Sequence, residues 1–268
     1  MWHKKLNLVI GLTTYNIERL ELSIPALGRL SEKFMLIIHN DNPAIKLKHR
    51  YIRKLGYRGK LIIINTDFNI GLLASRCKIL KFIKDKQLTD TWTIFVDDDD
   101  ILLDATIPQV GQNTFAVIQN AAIIRTRLTD VLQVAKHGTY NIDNINTFIA
   151  QPHISVTGTM IKTPYLIQWF DIIQKYTNDI SDIEESISFR LPVDLIMWSG
   201  VNIIATNTGM SSIYMDRVNY AISDLDTAKI KYGKQVAPTT NIKKQIKSII
   251  SKFDAIITNA LNAAPVGV

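Results

Sequence analysis

The sequence predicts an α/β fold, in which a mostly parallel sheet is flanked by helices and followed by a C-terminal helical extension. Over the first half of the chain, short apolar runs alternate with segments of helical periodicity, a pattern typical of parallel sheets that are covered on both faces. Polar clusters directly follow three of the apolar runs, and in such sheets ligands bind at the carboxyl ends of the strands. The same observations therefore indicate where a functional site should lie.

The individual elements are predicted in chain order from hydrophobic periodicity. Apolar, β-favouring runs predict strands at residues 8–12, 34–38, 61–64 and 91–96. Apolar residues at helical spacing predict helices over residues 17–30, 46–55 and 72–83. In the second half, the same criteria predict strands at residues 121–124, 155–161 and 201–204, and a helix at 165–176 in which Trp169 is a core residue.

The net charge and the cysteine content limit the kinds of binding partner and the cellular compartment that we expect. With a formal net charge of +7 and a pI of about 9.3, the chain suits anionic partners such as nucleic acid, acidic lipid or a phosphorylated substrate. A single cysteine, Cys77, excludes an internal disulfide and favours a reducing compartment. The short apolar run after Lys4 and Lys5 lacks a cleavage pattern and is interpreted as the first strand. We therefore expect a cytoplasmic protein.

The last part of the chain differs in character from the rest. From Ser223 onwards lysines become dense, and isoleucines recur between them at helical spacing. We therefore predict one domain over residues 1–222 and a basic amphipathic helical extension with a tail over residues 223–268. The helix over residues 241–257 has three interpretations: it packs on the domain, it lies on an anionic membrane surface at the inner face of a membrane, or it binds a nucleic acid or a protein.

Four adjacent aspartates, Asp97 to Asp100, directly follow the fourth predicted strand. Like charges at short range raise one another's pKa, and a hard divalent cation such as Mg²⁺ or Mn²⁺ relieves that repulsion by taking carboxylate ligands. If the chain stays extended, Asp97 and Asp99 share one face, and Asp98 and Asp100 share the other. One of the two pairs would address a ligand, while the other pair would support the structure or cap a helix that starts near Ile101. The alternative is a solvated acidic turn.

Four short motifs resemble, in this order, those of the family-two group of GT-A fold glycosyltransferases. They are residues 9–16, 37–42, 69–76 and 94–100. The first is similar to a strand that ends in a Pro-Thr-Tyr-Asn type motif, with Thr13 in place of the proline. The second is similar to a strand with a terminal aspartate, the third to an Asn-x-Gly segment followed by an arginine, and the fourth to a hydrophobic strand that ends in Asp-x-Asp-Asp.

The resemblance implies a role for each matching residue. The residues placed at the nucleotide-sugar are Thr13, Thr14, Tyr15, Asn16, Asp41, Asn69, Gly71, Arg76, Asp97 and Asp98. Among them, Asp41 would accept the base N–H, Arg76 would lie near the base or the first-strand loop, and Asp97 would touch the ribose or the sugar. Asp99, together with Asp97, would hold a Mn²⁺ or Mg²⁺ ion that bridges both phosphates. An Asx-turn for Asp41 and a helix-surface position for Arg76 are the alternatives.

The general base is expected among carboxylates of the second half. In inverting members of this group, a carboxylate deprotonates the acceptor hydroxyl while the metal stabilises the leaving nucleoside diphosphate. The group often carries a Glu-Asp pair a few residues before an arginine, and residues 182–185 are similar but lack that pair. Glu184, Glu185 and Asp194 are the candidates, and a helix-surface carboxylate is the alternative for each.

As a whole, the resemblance implies a GT-A, Rossmann-like fold with a nucleotide-binding half over residues 1–104 and an acceptor half over residues 105–222. It implies transfer of a sugar from a UDP-linked donor to an acceptor hydroxyl by metal-assisted, inverting displacement. A glycan or a lipid-linked acceptor is expected, and a nucleic-acid acceptor is the less favoured alternative. Two other classes of protein remain open. One is a sugar-phosphate nucleotidyltransferase, although this sequence lacks the glycine-rich loop that usually follows the first strand of that class. The other is a non-catalytic nucleotide-sugar-binding protein.

Overall fold

A computed structural model describes residues 6–107, 109–124, 129–132, 138–144, 159–176 and 202–215. In the first half, strands and helices alternate as predicted, with bounds that differ by a few residues. The strands are β1 (Leu8–Thr14), β2 (Met35–Asn40), β3 (Lys60–Asn65) and β4 (Trp92–Asp97). The helices are α1 (Leu20–Leu27), α2 (His49–Lys54) and α3 (Leu72–Asp85), and a 3₁₀ turn (Ile17–Arg19) precedes α1.

The strand β1 lies at the centre of the parallel part of the sheet. It pairs with β2 on one side and with β4 on the other, and β3 pairs with β2, all in parallel. Every residue of β1 is buried, which explains its almost continuous apolar sequence. The register sets Thr14 beside Asn40 and Thr13 beside Asp97. The polar ends of these strands therefore meet at one edge of the sheet.

The remaining strands extend the same sheet, and most of their pairings are antiparallel. They are β5 (Ile101–Leu102), β6 (Thr114–Ile124), β7 (Thr129–Leu132), β8 (Gly138–Tyr140), β9 (Met160–Lys162) and β10 (Asn202–Met215), and α4 (Thr163–Tyr176) follows β9. Among the described residues the strand order is β3-β2-β1-β4-β9-β6-β10-β5, with β7 beside β6 and β8 beside β10. The predicted fold class, an α/β sheet flanked by helices, is confirmed.

Parts of the second half differ from the sequence-based expectation. The helix expected near Ile101 is wrong, because Ile101–Leu102 forms β5 and Ile101 pairs with Ile213 of β10. A two-residue strand has no periodic pattern, so its conformation is decided by a partner far along the chain. The strands expected at 121–124 and 201–204 belong to the longer β6 and β10, and the strand expected at 155–161 is described only at its end, as β9.

Alternate side chains of the parallel strands pack on opposite faces of the sheet, as the two-residue period of a strand requires. On one face, Leu8, Ile10 and Leu12 of β1 join a buried cluster with side chains of α1 and α2. On the other face, Val9 joins a cluster with side chains of α3 and α4. Trp169 of α4 is fully buried in that second cluster, which confirms its predicted place in the core.

The chain divides into two compact units, residues 1–123 with 131–215, and residues 124–130 with 216–268. The described residues belong almost entirely to the first unit. The predicted extension, including the helix over residues 241–257, lies outside the described residues, so the expected boundary at residue 222 stays a prediction. In the part of the chain that the structure describes, no helix has the length and the apolar character needed to cross a membrane.

Candidate functional site

The acidic run forms a buried turn at the end of β4. Asp97 is the last residue of the strand, Asp98 and Asp99 turn, and the Asp100 N–H donates to the Asp97 carbonyl at 3.1 Å. The chain does not stay extended, so the expected alternation of faces along the run is wrong. Asp98, Asp99 and Asp100 are 6, 3 and 3% exposed, and the alternative of a solvated acidic turn is therefore excluded as well.

The residues that follow β1 contact the middle of this acidic turn. The Thr14 hydroxyl donates to Asp98 Oδ2 at 2.7 Å. Arg19, at the end of the 3₁₀ turn, places its Nη1 atom 3.2 Å from Asp99 Oδ2 and 3.6 Å from Asp98 Oδ1. The first and the fourth sequence motifs therefore meet, because β1 and β4 are neighbours in the sheet.

Arg76, on α3, contacts the first residue of the acidic turn. Its Nη2 atom lies 2.9 Å from Asp97 Oδ1, and its Cζ atom lies 5.5 Å from the centre of the Phe95 ring. The Arg76 side chain is only 4% exposed, which excludes the helix-surface alternative. Arg76 thus holds Asp97 in place from α3, and its expected position near a base stays a prediction.

Carboxylates are concentrated at the acidic turn. Three of the four, those of Asp97, Asp98 and Asp99, lie within 4 Å of the guanidinium groups of Arg19 and Arg76. Burial, followed by the charge of Asp99, raises the pKa of Asp98 to about 6, although the Thr14 hydrogen bond and Arg19 oppose the shift. Buried like charges of this kind favour the binding of a proton or of an additional cation.

The donor chemistry of the turn fits a divalent cation that is shared with a phosphate ligand. Mg²⁺ and similar ions commonly take one or two carboxylates from the protein and complete their coordination with phosphate oxygens and water. Among the described residues, no group of three or more His, Cys, Asp or Glu side chains is arranged to hold a metal ion. Asp97 and Asp99 therefore suit a shared site better than a closed protein cage, and their assignment as metal ligands stays a prediction.

Asp41, directly after β2, holds the loop that precedes α3. Its two carboxylate oxygens accept the backbone N–H groups of Ile70 and Gly71, each at 2.8 Å. The Asn69 Oδ1 atom also accepts from the Gly71 N–H, at 2.9 Å, and Gly71 has a φ of 83°, which favours glycine. Because these partners are distant in sequence, the Asx-turn alternative does not describe Asp41. Its contact with a base N–H stays a prediction.

The other residues of the first motif differ in exposure and in role. Thr13 is buried, whereas Tyr15 is 55% exposed. The Asn16 Oδ1 atom accepts the Glu18 N–H at 3.1 Å and caps the 3₁₀ turn. Asn16 therefore stabilises the short turn that carries Arg19, and its expected proximity to a nucleotide stays a prediction.

Two polar residues of this edge were not among the sequence-based candidates. Arg19 contacts carboxylates that lie about eighty residues later in the chain, and the only local signal for it is a basic residue shortly after the first motif. Asn40 is buried, and its Nδ2 atom donates to the Ile45 carbonyl at 2.6 Å and to Asn65 Oδ1 at 2.9 Å. Asn40 thereby ties the ends of β2 and β3 together.

The three general-base candidates, Glu184, Glu185 and Asp194, lie outside the described residues. The acceptor half expected over residues 105–222 is described only in part. Both assignments therefore stay predictions.

The fold matches known GT-A glycosyltransferases. A crystal structure of S. aureus TarS matches with a TM-score of 0.53 and 14% sequence identity, over 84% of this chain and 38% of that chain. A crystal structure of S. aureus TarS 1–349 matches with a TM-score of 0.51 and 13% identity, over 84% of this chain and 63% of that chain. This chain thus spans less than two thirds of either TarS chain, and at these identities the likeness shows the GT-A fold alone.

A third structure, GalNAc-T7 with UDP, GalNAc and Mn²⁺, matches with a TM-score of 0.47 and 9% identity, over 81% of this chain and 45% of that chain. That likeness is too low to carry an argument. No protein-family model matches the chain, and no curated protein matches it.

Proposed function

We propose that the protein is a glycosyltransferase, which moves a sugar from a UDP-linked donor to an acceptor hydroxyl by metal-assisted, inverting displacement. The observation that carries the proposal is the buried acidic turn at the carboxyl edge of a GT-A fold sheet. Ligands of α/β folds bind at this edge, and the cluster of adjacent, mostly buried carboxylates there suits a cation bound together with a diphosphate.

The acidic turn would bind the diphosphate part of the donor. Asp99 and Asp97 would hold Mn²⁺ or Mg²⁺, and the bound ion would stabilise the charge that develops on the leaving nucleoside diphosphate. Asp98 would keep the turn in place through its hydrogen bond with Thr14. Arg76 would orient Asp97 through the ion pair that the two side chains form.

The neighbouring loops would bind the nucleoside part. Asp41 orders the loop before α3 through two backbone hydrogen bonds, which supports a preformed site. Tyr15 and Phe68 are 55 and 68% exposed, and they lie on the loops after β1 and β3. Large aromatic rings exposed at a ligand-binding edge are suited to stacking against a planar base.

The proposal for the general base and the acceptor rests on the sequence alone. We infer that one of Glu184, Glu185 and Asp194 deprotonates the acceptor hydroxyl, and that the acceptor is a glycan or is linked to a lipid. The basic helix over residues 241–257 would bring the enzyme to an anionic membrane surface at its cytoplasmic face. In Glu184→Gln, Glu185→Gln and Asp194→Asn variants, the base is the residue whose loss stops sugar transfer while binding of UDP with Mn²⁺ is kept.

A thermal-shift panel of UDP, GDP, CDP and ADP, each with Mn²⁺ and with EDTA, tests the donor class. UDP with Mn²⁺ should raise the Tm most, because a ligand that binds only the folded state stabilises it. The Asp99→Ala variant should lose this increase. The proposal fails if no nucleotide raises the Tm in the presence of the metal. Binding of UDP with Mn²⁺, but without release of UDP from any UDP-sugar, would point instead to a non-catalytic binding protein.

A further inference from the structure

Arg19 is held firmly beside the carboxylates of the acidic turn. Its backbone N–H donates to the Asn16 carbonyl at 3.1 Å, and the Asn16 side chain caps the same 3₁₀ turn. The Arg19 side chain is 20% exposed, and its Nη1 atom approaches both Asp98 and Asp99. The guanidinium group therefore occupies a defined position at the acidic turn, on the side that faces the end of β1.

That position brings a fixed positive charge to the carboxylate proposed to hold the metal. Asp99 Oδ2 lies 3.2 Å from Arg19 Nη1, which is hydrogen-bonding distance. A divalent cation bound to Asp99 would lie close to the guanidinium group of Arg19, and the two positive charges would repel each other strongly because solvent is largely excluded there. Without another anion nearby, Arg19 therefore opposes the binding of the metal.

A diphosphate changes this balance. It brings negative charge to the site, it offers oxygen ligands to the metal, and its oxygens accept charge-assisted hydrogen bonds from a guanidinium group. Both cations can then be accommodated at once, because the added charge offsets the repulsion between them.

We propose that Arg19 is an internal counter-ion that makes metal binding at Asp99 depend on the nucleoside diphosphate. This inference rests on the proposed function, since it takes Asp99 as a metal ligand. Arg19 offsets part of the negative charge at Asp98 and Asp99 in the ligand-free protein and keeps the affinity of the acidic turn for a divalent cation low. By linkage, the metal and the nucleotide strengthen each other's binding by the same factor.

The test measures Mn²⁺ binding to the full-length chain by titration calorimetry, with and without saturating UDP. In the wild type, UDP should tighten Mn²⁺ binding strongly. In Arg19→Gln, Mn²⁺ alone should bind about tenfold tighter than to the wild type, a change within the usual range of coupling between sites. The enhancement by UDP should shrink by a similar factor. Arg19→Lys keeps the charge and should remain close to the wild type.

Arg29→Gln is the matched control, because Arg29 is exposed and lies in the turn that directly follows α1. It removes the same charge and should leave Mn²⁺ affinity unchanged. If Arg19→Gln does not fold, as judged by circular dichroism, Arg19→Met, which keeps the apolar stem, should give the same tightening.

The outcomes separate this inference from the proposed function. If Mn²⁺ and UDP bind together but the Arg19 variants have wild-type affinity for Mn²⁺ alone, the inference about Arg19 is overturned and the proposed function stands. If no variant binds Mn²⁺ even with UDP present, both are overturned. Equal tightening in Arg29→Gln would reduce the effect to net charge and would also reject the specific role of Arg19.

Discussion

The parallel strands β1 to β4 and the later strands β5 to β10, whose pairings are mostly antiparallel, are assembled in different ways. The four parallel strands all lie within residues 8–97, and a helix follows β1, β2 and β3. In the antiparallel part the strands lie out of chain order, since β9 lies between β4 and β6, and β10 lies between β6 and β5. The described residues of the candidate site therefore lie at the edge of the parallel part, whereas the antiparallel part interleaves strands from separate segments of the chain.

The helix α4 connects the two parts. It follows β9, and its first residue, Thr163, places Oγ1 2.8 Å from the hydroxyls of both Thr91 and Thr93. Trp169, further along α4, packs in the same cluster as Val9 of β1 and Phe95 of β4. The two kinds of strand pairing therefore share one core, and we expect them to unfold together.

The largest expected effect breaks this shared core. Trp169→Ala removes a fully buried side chain and should lower the free energy of unfolding by about 3–5 kcal/mol, the usual cost of truncating a large aromatic residue in a core. Urea denaturation followed by circular dichroism measures the change. Gln168→Ala, at the exposed neighbouring position, is the control and should change stability by less than about 0.5 kcal/mol.

If Trp169→Ala lowered the free energy of unfolding only as little as the control does, that result would contradict a common core. Two separate transitions in the wild type would do the same, because each part would then unfold alone.

The next effect concerns the parallel part alone. Asp41→Ala removes the acceptor for the Ile70 and Gly71 N–H groups and should cost about 1–3 kcal/mol, as expected when buried donors lose their partner. Hydrogen exchange at these two amides should become faster. Asp67→Ala is the control at the same edge, since the Asp67 side chain is 90% exposed. Equal exchange rates in the two variants would show that Asp41 does not order the loop.

Much of the parallel part could be predicted from the sequence, because its information is local. The apolar runs give the strands, and the polar clusters that follow them mark the edge where Asp41 and Asp97 lie. The resemblance to GT-A glycosyltransferases rests on the same local motifs, and the fold comparison agrees with it.

The contacts that build the site could not be predicted in the same way. The predicted alternation of side-chain faces along the acidic run is wrong because Asp98 and Asp99 form a turn. A propensity pattern does not distinguish such a turn from an extended strand end. The contact between Arg19 and Asp99 depends on the pairing of β1 with β4. The two residues of β5 carry no local pattern of their own, and they form a strand because they pair with β10.

The smallest expected effect concerns His39, in the buried β2 strand. Burial lowers the pKa of His39, with Lys78 adding to the shift and Asp41 opposing it. The unfolded chain, with a histidine pKa of about 6.5, therefore binds a proton more readily than the folded protein. Stability is kept above that pH and falls as the pH decreases below it.

Between pH 7.5 and 5.5, His39→Gln should lose less unfolding free energy than the wild type. The sign of this difference follows from the lowered pKa of the buried His39 side chain. Urea denaturation at the two pH values measures it. His49→Gln replaces an exposed histidine and should behave as the wild type does. An equal loss in His39→Gln and in the wild type would contradict the effect assigned to burial.

The proposed function requires that the buried acidic turn binds a nucleoside diphosphate together with a divalent metal. Titration calorimetry of UDP in the presence of Mn²⁺, with Asp99→Asn compared with the wild type, measures this binding. Asp85→Asn, at an exposed position on α3, controls for the loss of one negative charge. Asp99→Asn should weaken UDP binding at least about tenfold, or about 1.4 kcal/mol, while Asp85→Asn should bind UDP as the wild type does. UDP binding that is equal in Asp99→Asn and the wild type, or that is unchanged when EDTA replaces Mn²⁺, would contradict it.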